Sequence, residues 1–483
     1  MHSGGYDGPG MAPFWKRPAV QVAAMILATA LVKAAVSLQT ELTSAEAYLW
    51  ICAKHPALGY FDYPALVAWM IALSTALFGE SVLAVRSLTI AAGALATGFV
   101  FLAARRLYDE RTARLAAFLA GLAPLTFAYG SEALCDSPLL LFWSAALWAL
   151  AHALSGGSPA WWYPAGLFLG LSMLGKYHGV FLGAGTLLFL AFSPDHRAWL
   201  RRKEPYLAAL LALAAFSPTI VWNVRNGWES FRYQGTGRFS EGSFRPKELW
   251  TWPLSQLLLL TPFIGLWAWG TGLRALARWK ASPWQDRFLA ALGMPVLLFF
   301  LLILFVRSGR GHWALPGYAS ILVLTASALL KGGAWGRRLI VGSLVALGVA
   351  YGIGPLALAF VPRAQLSGWT QLAEKVRDLK PDFVIAREYH HASQMGYLLH
   401  PLPAFEFTPL GQPSKNFPHW WRGGEFRGKD AVVVFDLKHY PDGRDAVERC
   451  FERLEKPVEV AVPRPGGRPE AFLLIRARGY RPP

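Results

Sequence analysis

Apolar stretches long enough to cross a membrane follow one another along the first three quarters of the chain. A helix needs about 20 apolar residues to span the hydrocarbon core of a bilayer. The composition agrees, because 54% of the 483 residues are hydrophobic and only 16% are charged. We therefore predict a polytopic α-helical membrane protein with about eleven transmembrane helices. These lie near residues 19–38, 82–104, 114–131, 137–154, 163–175, 177–193, 205–223, 250–272, 287–306, 313–330 and 338–361.

The charges between the apolar segments predict the orientation of the chain. Cytoplasmic loops of membrane proteins are enriched in lysine and arginine. Lys16 and Arg17 precede the first segment, and alternate loops further on are basic, at 105–114, 197–203, 274–287 and 331–338. The exception is the loop Ser155–Trp162, which carries no charge. With an odd number of crossings, we expect a cytoplasmic N-terminus and an extracytoplasmic C-terminal region.

Two of the apolar segments, 163–175 and 177–193, are separated by only a few residues around Lys176. A single helix from Tyr163 to Phe192 would be roughly 45 Å long, at 1.5 Å per residue, and would carry a lysine at its centre. Since that length exceeds what a hydrocarbon core needs, we predict two helices. The break then places Lys176 at the outer surface.

A polar stretch, Glu41–Pro64, separates the first two long apolar segments. Ionisable side chains at a membrane boundary are costly, so they are candidates for function. Apolar residues at helical spacing predict two short interfacial helices, Ala45–Ala53 and Ala65–Phe78, in this first external loop. We interpret the loop as the mouth of a membrane enzyme.

The last quarter of the chain has more charge and shorter apolar runs. Strand patterns alternate with helical patterns there, which is typical of a small α/β unit. We predict a membrane domain over residues 1–361 and an extracytoplasmic α/β domain over residues 362–483. The predicted strands are Phe383–Ala386, Ala431–Phe435, Val458–Val462 and Ala471–Ile475, and the predicted helices are Leu372–Leu379, His390–Leu399 and Asp445–Leu454.

A series of motifs in the chain resembles, in order, those of a known family. They read AEAYLWICAKHPALGYFDYPALVAW, FGESVLAVR, ALCDSPLLLFW, LGKYHGVFLG, WNVRNGWESFRYQ and HWALPGYAS. The family comprises the bacterial GT-C type polyprenyl-phosphate-sugar glycosyltransferases, which include lipid A aminoarabinose and galacturonic acid transferases and are distantly related to protein O-mannosyltransferases. The tail stretches REYHHASQMGYLL and SKNFPHWW are similar to those of the small extracytoplasmic domain in which these enzymes often end.

The resemblance implies a GT-C fold, a hexosyl- or pentosyltransferase, and a location in the inner (plasma) membrane of a bacterium. The donor would be a sugar on undecaprenyl or another polyprenyl phosphate, and transfer would be a single displacement with inversion at the periplasmic face. Lipid A, another glycolipid or an envelope glycan would be the acceptor, and the lipid bilayer would be the remaining partner. The chain departs from the family at one position: Ala45 stands where the family has the aspartate of an Asp-Glu pair, while the glutamate is present as Glu46.

Sugar transfer from a lipid phosphate needs groups that orient or activate the acceptor and cations that stabilise the leaving phosphate. All the candidates lie in the loops predicted to be external. We expect catalytic roles for the carboxylates Glu46, Asp136 and Asp62. We expect substrate binding by Lys176, Tyr177, His178, Tyr60, Arg232, Arg310 and His312. A divalent cation is compatible with these carboxylates, but the sequence assigns no metal ligands.

Each candidate also has a structural interpretation. Glu46 is compatible with a solvated helix face, Asp62 with a turn, Asp136 with a helix N-cap before Ser137-Pro138, and Lys176 with an interfacial anchor. For Lys176→Ala we expect a larger loss of donor binding than of stability.

Three other classes of function can be compared with that of a glycosyltransferase. A catalytically silent GT-C-like protein fits the alanine at position 45, and a polytopic lipid or sugar transporter fits the hydrophobicity. A transporter would show polar groups at mid-membrane depth and internal repeats, which the pattern does not favour. Nucleic-acid binding is not expected, because the net charge of +17 is dispersed over many loops instead of one face.

Overall fold

The computed structural model describes residues 17–237, 244–360, 368–407, 415–420, 423–437, 440–462 and 469–482. A bundle of helices is followed by a small α/β unit, so the predicted fold class is confirmed. The predicted domain boundary, between residues 361 and 362, lies outside the described residues. The division into 1–361 and 362–483 therefore stays a prediction.

Among the described residues before that boundary, sixteen α-helices are numbered in chain order. They are α1 Pro18–Ser37, α2 Ser44–Lys54, α3 Leu66–Phe78, α4 Val82–Leu107, α5 Glu110–Leu122, α6 Pro124–Tyr129, α7 Asp136–Leu154, α8 Trp162–Gly175, α9 Val180–Phe192, α10 Glu204–Arg225, α11 Glu229–Arg232, α12 Glu248–Leu260, α13 Pro262–Ala277, α14 Trp284–Leu302, α15 Leu315–Lys331 and α16 Gly333–Phe360.

Six helices in the described part of the chain are long and apolar enough to cross a bilayer, or seven if a bent pair forms one span. The six are Pro18–Ser37, Val82–Leu107, Asp136–Leu154, Glu204–Arg225, Trp284–Phe305 and Gly311–Lys331. The chain is therefore a multi-pass membrane protein. The higher count of about eleven crossings stays a prediction.

Two predicted spans are broken, and in this respect the prediction was wrong. Segment 250–272 is divided into α12 and α13, which meet at an angle of 106°. Segment 114–131 is divided into α5 and α6 at Ala123, whose backbone is extended. In both cases the residue after the break is a proline, Pro262 or Pro124. Proline disfavours helical backbone in the residue before it, and that preference ends the helix.

The break predicted at Lys176 is confirmed. Helix α8 ends at Gly175, a single 3-10 turn follows, and α9 begins at Val180. The two helices of the first loop also form close to their predicted limits, as α2 and α3. Helix α2 is covered by a helix of the C-terminal unit, so its residues from Glu46 to Ala53 are all buried.

The C-terminal unit contains a mixed six-stranded sheet with helices packed on it. Its helices are α17 Trp369–Asp378, α18 Tyr389–Leu398, α19 Phe417–Trp420 and α20 Tyr440–Cys450. Its strands are β1 Phe383–Ala386, β2 Ala404–Glu406, β3 Ala431–Asp436, β4 Phe451–Leu454, β5 Val458–Val462 and β6 Glu470–Tyr480. Helix α18 is the one that covers α2.

The strand order is β2-β1-β3-β6-β4, and β5 also pairs with β6. Strands β1 and β3 are parallel neighbours and are fully buried, as expected for apolar runs at the centre of a sheet. The sequence analysis missed β2 and assigned Phe451–Leu454 to a helix, whereas these residues form β4. Such short strands form only by pairing with residues that are distant in the sequence. Here β4 pairs with β6.

Helices α8 and α10 pack closely through a glycine, which gives a test of the bundle. A Cβ atom at Gly166 would lie 2.1 Å from the carbonyl oxygen of Ala208, so Gly166→Ala must push the helices apart. We expect a loss of about 1–3 kcal/mol in stability, measured by thermal unfolding in detergent. Gly98→Ala is the control, because nothing lies within 4 Å of a Cβ there. Equal stability of the two variants would contradict this packing.

Candidate active site

Glu46 is fully buried, and both of its carboxylate oxygens accept hydrogen bonds. Arg86 of α4 donates from Nε to Oε1 (2.6 Å) and from Nη2 to Oε2 (2.7 Å). The backbone N–H of Ala133 donates to Oε1 at 2.8 Å, and that of Thr43 donates to Oε2 at 2.8 Å. Thr43 and Glu46 thus form a capping box at the start of α2.

This set of contacts joins three parts of the chain. The Glu46 carboxylate holds the first turn of α2, the second long helix α4 and the loop of residues 130–135 at one point. A buried carboxylate with a bidentate arginine partner is fixed in position. The geometry therefore favours a positioning role for Glu46 over the catalytic role expected from the sequence.

Glu132 lies in the loop that Glu46 holds, and its pKa is raised to about 7. Burial of the carboxyl group is the main cause. The negative charges of Glu46 and Asp136 raise the pKa further, while Arg86 opposes them. A carboxyl group that titrates near neutral pH can take up or release a proton during a reaction. Glu132 was not among the residues expected from the sequence, because its burial is visible only in the fold.

Asp136 and Lys176 form a buried ion pair between the start of α7 and the end of α8. Lys176 Nζ lies 2.8 Å from Oδ1 and 3.0 Å from Oδ2 of Asp136. Asp136 does not cap α7: Cys135 is the N-cap residue and Asp136 lies in the first turn, where the helix dipole favours a negative charge. The structure thus joins two residues for which the sequence predicted separate roles.

A cleft of about 610 Å³ is lined by Tyr129 and by the loop of residues 307–313. Its charged lining consists of the basic side chains Arg245, Arg307, Arg310 and His312 and one carboxylate, Glu248. The ring of His312 stacks on Tyr129, with 4.5 Å between the ring centroids. The carbonyl oxygen of Tyr129 in turn accepts a hydrogen bond from Ser137, the neighbour of Asp136. The cationic cleft and the Asp136–Lys176 pair therefore belong to one region.

The C-terminal unit contributes a histidine to the same region. The pKa of His390 in α18 is lowered to about 4, mainly by burial and also by the charges of Lys415, His391 and Arg310. His390 is thus neutral at physiological pH.

Asp62 anchors the C-terminal unit to the first loop. Its carboxylate accepts from Lys415 Nζ (2.8 Å) and from the Tyr48 hydroxyl (2.9 Å), and it is 1% exposed. The Lys415 ammonium also lies 4.1 Å from the ring centroid of Tyr389. Asn416 bonds the Tyr48 hydroxyl and accepts from the backbone N–H of Phe61 at 2.9 Å. The sequence analysis noted the SKNFPHWW stretch but assigned no role to these two residues.

Burial opposes the charge of Lys415, but Asp62, Tyr63 and Tyr389 together outweigh burial and raise the pKa of the lysine above its usual value. The cation that the Asp62 carboxylate binds is therefore a lysine of the C-terminal unit.

Two of the predicted ligands follow Lys176 directly. The Tyr177 hydroxyl lies 2.6 Å from Ser230 Oγ, and the His178 ring packs 4.9 Å from Phe300. Two other predicted ligands bond to their own loops. The Tyr60 hydroxyl donates to the carbonyl oxygen of Cys52 at 2.7 Å, and Arg232 Nη2 donates to that of Gly227 at 2.5 Å. The structure thus places Arg310 and His312 in the lining of one cleft, and it gives Tyr60 a structural contact.

The residues at the site do not assemble into a metal centre. Among the described residues, no three His, Cys, Asp or Glu side chains converge as a metal site would require. Asp136, Asp62 and Glu46 already bind a lysine or an arginine. We therefore derive no step that passes through a metal ion.

Comparisons with known proteins agree with the fold and the motifs. Residues 62–222 match the family described as dolichyl-phosphate-mannose-protein mannosyltransferase. The undecaprenyl phosphate-alpha-4-amino-4-deoxy-L-arabinose arabinosyl transferase of Pseudomonas aeruginosa PAO1 is 31% identical over 348 residues, which cover 69% of this chain. The match spans 60% of the length of that relative. Lipid A galacturonosyltransferase RgtD of Rhizobium johnstonii is 26% identical, and the match covers 65% of this chain and 66% of the length of that relative.

The whole fold resembles that of a solved membrane protein. ArnT from Cupriavidus metallidurans in the apo state superposes with a TM-score of 0.68, over 95% of this chain and 98% of that one, at 16% identity. The same protein bound to undecaprenyl phosphate gives a TM-score of 0.66 at 17% identity, over the same fractions. At this level of identity, the likeness establishes the fold.

Glu46→Gln tests whether the buried pair with Arg86 holds the site together. Removing one charge leaves the other buried without its partner, so we expect a loss of about 3–5 kcal/mol in stability. Thermal unfolding in detergent gives the measurement. Glu448→Gln is the control, since its pair with Arg444 is exposed and should cost less than about 1 kcal/mol. Equal effects of both substitutions would show that Glu46 is not a structural centre.

Proposed function

Because this chain is related to the bacterial GT-C glycosyltransferases that include the aminoarabinose transferases, we propose that it is an integral-membrane glycosyltransferase. The donor is a sugar linked to polyprenyl phosphate, most simply undecaprenyl phosphate, and the acceptor is lipid A, another glycolipid or an envelope glycan. The names of the relatives and the undecaprenyl phosphate in the ArnT structure support this donor. The observation that carries the proposal is the buried Asp136–Lys176 pair beside the cationic cleft.

We propose that the reaction is a single displacement with inversion. The bond between the anomeric carbon and the phosphate oxygen breaks while an acceptor oxygen bonds to that carbon from the opposite side. Polyprenyl phosphate leaves with the electron pair, and the acceptor loses a proton if it is a hydroxyl. Cations beside the leaving oxygen stabilise the charge that develops there.

Lys176 and Arg310 supply these cations. An ammonium group has three N–H donors, and the Asp136 contacts at 2.8 and 3.0 Å engage two acceptor atoms. A donor directed at the lipid phosphate remains, and Asp136 fixes its direction. Arg310 and His312 bind the same phosphate, or the acceptor, from the cleft. Tyr177 and His178, which follow Lys176, contact the sugar.

Glu132 is the group best suited to take the proton of a hydroxyl acceptor. Ala45 cannot act as the family aspartate would, and both Glu46 oxygens are engaged. Glu132 has a pKa of about 7 and lies beside both charged pairs. A phosphate acceptor would need no base, and Glu132 would then remain protonated and donate a hydrogen bond.

The site lies at the periplasmic face in this proposal, with a cytoplasmic N-terminus and the C-terminal unit outside. The basic loops, at 105–114, 197–203, 274–287 and 331–338, support this orientation. Asp62 and Lys415 connect the C-terminal unit to the first loop, so this unit covers the mouth of the site.

Single-turnover sugar release tests the proposal. Purified wild type in proteoliposomes is mixed with a panel of undecaprenyl-phosphate sugars, with and without lipid A. We expect one donor to be consumed and labelled sugar to appear on the acceptor. If no donor is consumed with any acceptor, the alanine at position 45 favours the second candidate, a catalytically silent protein on the same fold.

The paired substitution Lys176→Gln with Asp136→Asn tests the phosphate-binding role. Both charges disappear together and the amides can still form a hydrogen bond, so the fold is retained. Donor binding, measured by titration, should weaken at least tenfold, since a charged contact is worth roughly 1.5–3 kcal/mol. Arg202→Gln with Glu204→Gln is the control, because it removes a pair in a different loop. Unchanged donor affinity in the first variant would exclude this role.

The pH profile tests Glu132. With a pKa of about 7, its deprotonated fraction rises about tenfold between pH 6 and pH 8, and a rate that depends on the base rises with it. We expect Glu132→Gln to be slow and to lose this rise, whereas Glu374→Gln on the exposed face of α17 keeps it. The same profile in Glu132→Gln and wild type would show that another group is the base.

A further inference from the structure

Helices α8, α9 and α10 surround an apolar groove of about 380 Å³. Its lining includes Trp162, Leu169, Gly183, Thr186, Leu187 and Tyr206. Leu187 is 59% exposed and Tyr206 is 57% exposed, so the groove is open on the outside of the bundle. Because these helices lie in a bilayer, the opening faces lipid.

The groove lies at the other end of the helices from the candidate active site. Its lining comes from the start and middle of α8, from Leu182 to Leu190 of α9, and from the start of α10. Lys176, in contrast, lies where α8 ends and α9 is about to begin. The groove is thus separate from the donor site and lies towards the opposite membrane surface.

Basic residues border this end of the groove. The connection between α9 and α10 contains Arg197, Arg201, Arg202 and Lys203, and all four are exposed. Its acidic neighbours are already engaged, since Glu204 binds Arg202 at 3.0 Å and Asp195 binds Arg287. Within the described part of the chain, no carboxylate pairs with Arg201 or Lys203.

Aromatic rings mark the depth at which the groove meets this basic connection. The rings of Trp162 and Trp199 lie 5.5 Å apart, and the Arg202 guanidinium lies 4.5 Å from the Trp199 ring centroid. Tryptophan is enriched at the level of the lipid headgroups. The groove therefore ends at headgroup depth, and the positive charges of Arg201 and Lys203 lie just beyond it.

We infer that this groove is a binding site for an anionic phospholipid. One acyl chain occupies the space between α8, α9 and α10, and the phosphate lies against Arg201 and Lys203. Charge complementarity selects the occupant, because basic pockets between transmembrane helices bind anionic headgroups. A zwitterionic lipid makes the same apolar contact, but its headgroup has no net charge to interact with Arg201 and Lys203. This site is independent of the proposed glycosyltransferase activity.

The test is lipid binding by the purified protein in detergent, measured by native mass spectrometry with phosphatidylglycerol and with phosphatidylcholine. We expect the wild type to prefer phosphatidylglycerol. Arg201→Gln with Lys203→Gln should weaken phosphatidylglycerol binding roughly tenfold or more and leave phosphatidylcholine binding unchanged. Arg337→Gln with Arg338→Gln removes two charges from another basic segment and should have no effect.

A second variant tests the acyl-chain position. A Cβ atom at Gly183 would lie 3.3 Å from the end of the Leu169 side chain, so Gly183→Leu can be accommodated while it fills the groove. It should weaken the binding of both lipids. Glycerol phosphate, which has no acyl chain, should not compete. Equal binding of the two lipids by the wild type, or unchanged binding in both variants, would overturn the inference, as would a preference of this groove for undecaprenyl phosphate.

Discussion

The buried ion pair between Glu46 and Arg86 is the interaction on which the rest of the site depends. Burying an unpaired charge in the protein interior requires a large free energy, so each of the two residues requires the other. The Glu46 carboxylate also binds the backbone N–H of Ala133, at 2.8 Å. The pair therefore fixes α2, α4 and the loop of residues 130–135 in one arrangement. Glu132 and Asp136 take their positions from that arrangement.

Two further buried ion pairs connect other parts of the chain. Asp136–Lys176 joins the start of α7 to the end of α8 among the membrane helices. Asp62–Lys415 connects the first loop to the C-terminal unit, at 2.8 Å. The two pairs differ in their surroundings. Lys415 lies against the rings of Tyr48, Tyr63 and Tyr389, whereas Lys176 lies at the break between α8 and α9.

Much of the fold could be predicted from hydrophobic periodicity, including the break at Lys176, the helices α2 and α3 and the alternating elements of the C-terminal unit. The breaks before Pro124 and Pro262 were missed because long apolar runs continue through them. The pairing partners were harder to predict. Glu46 and Arg86 are 40 positions apart, and Asp62 and Lys415 are 353 positions apart. No periodic pattern connects such residues, so the shift of Glu46 from catalysis to positioning could be inferred only from the fold.

The central claim is that the region around Asp136, Lys176 and Arg310 receives a polyprenyl phosphate. A photoreactive undecaprenyl phosphate with its reactive group next to the phosphate tests this most directly, because the labelled peptides can be mapped by mass spectrometry. We predict labelling within residues 129–136, 175–178 and 307–313, with competition by unmodified undecaprenyl phosphate. Labelling concentrated instead in the basic connection of residues 197–203 would place the phosphate at the opposite end of the bundle and contradict the account.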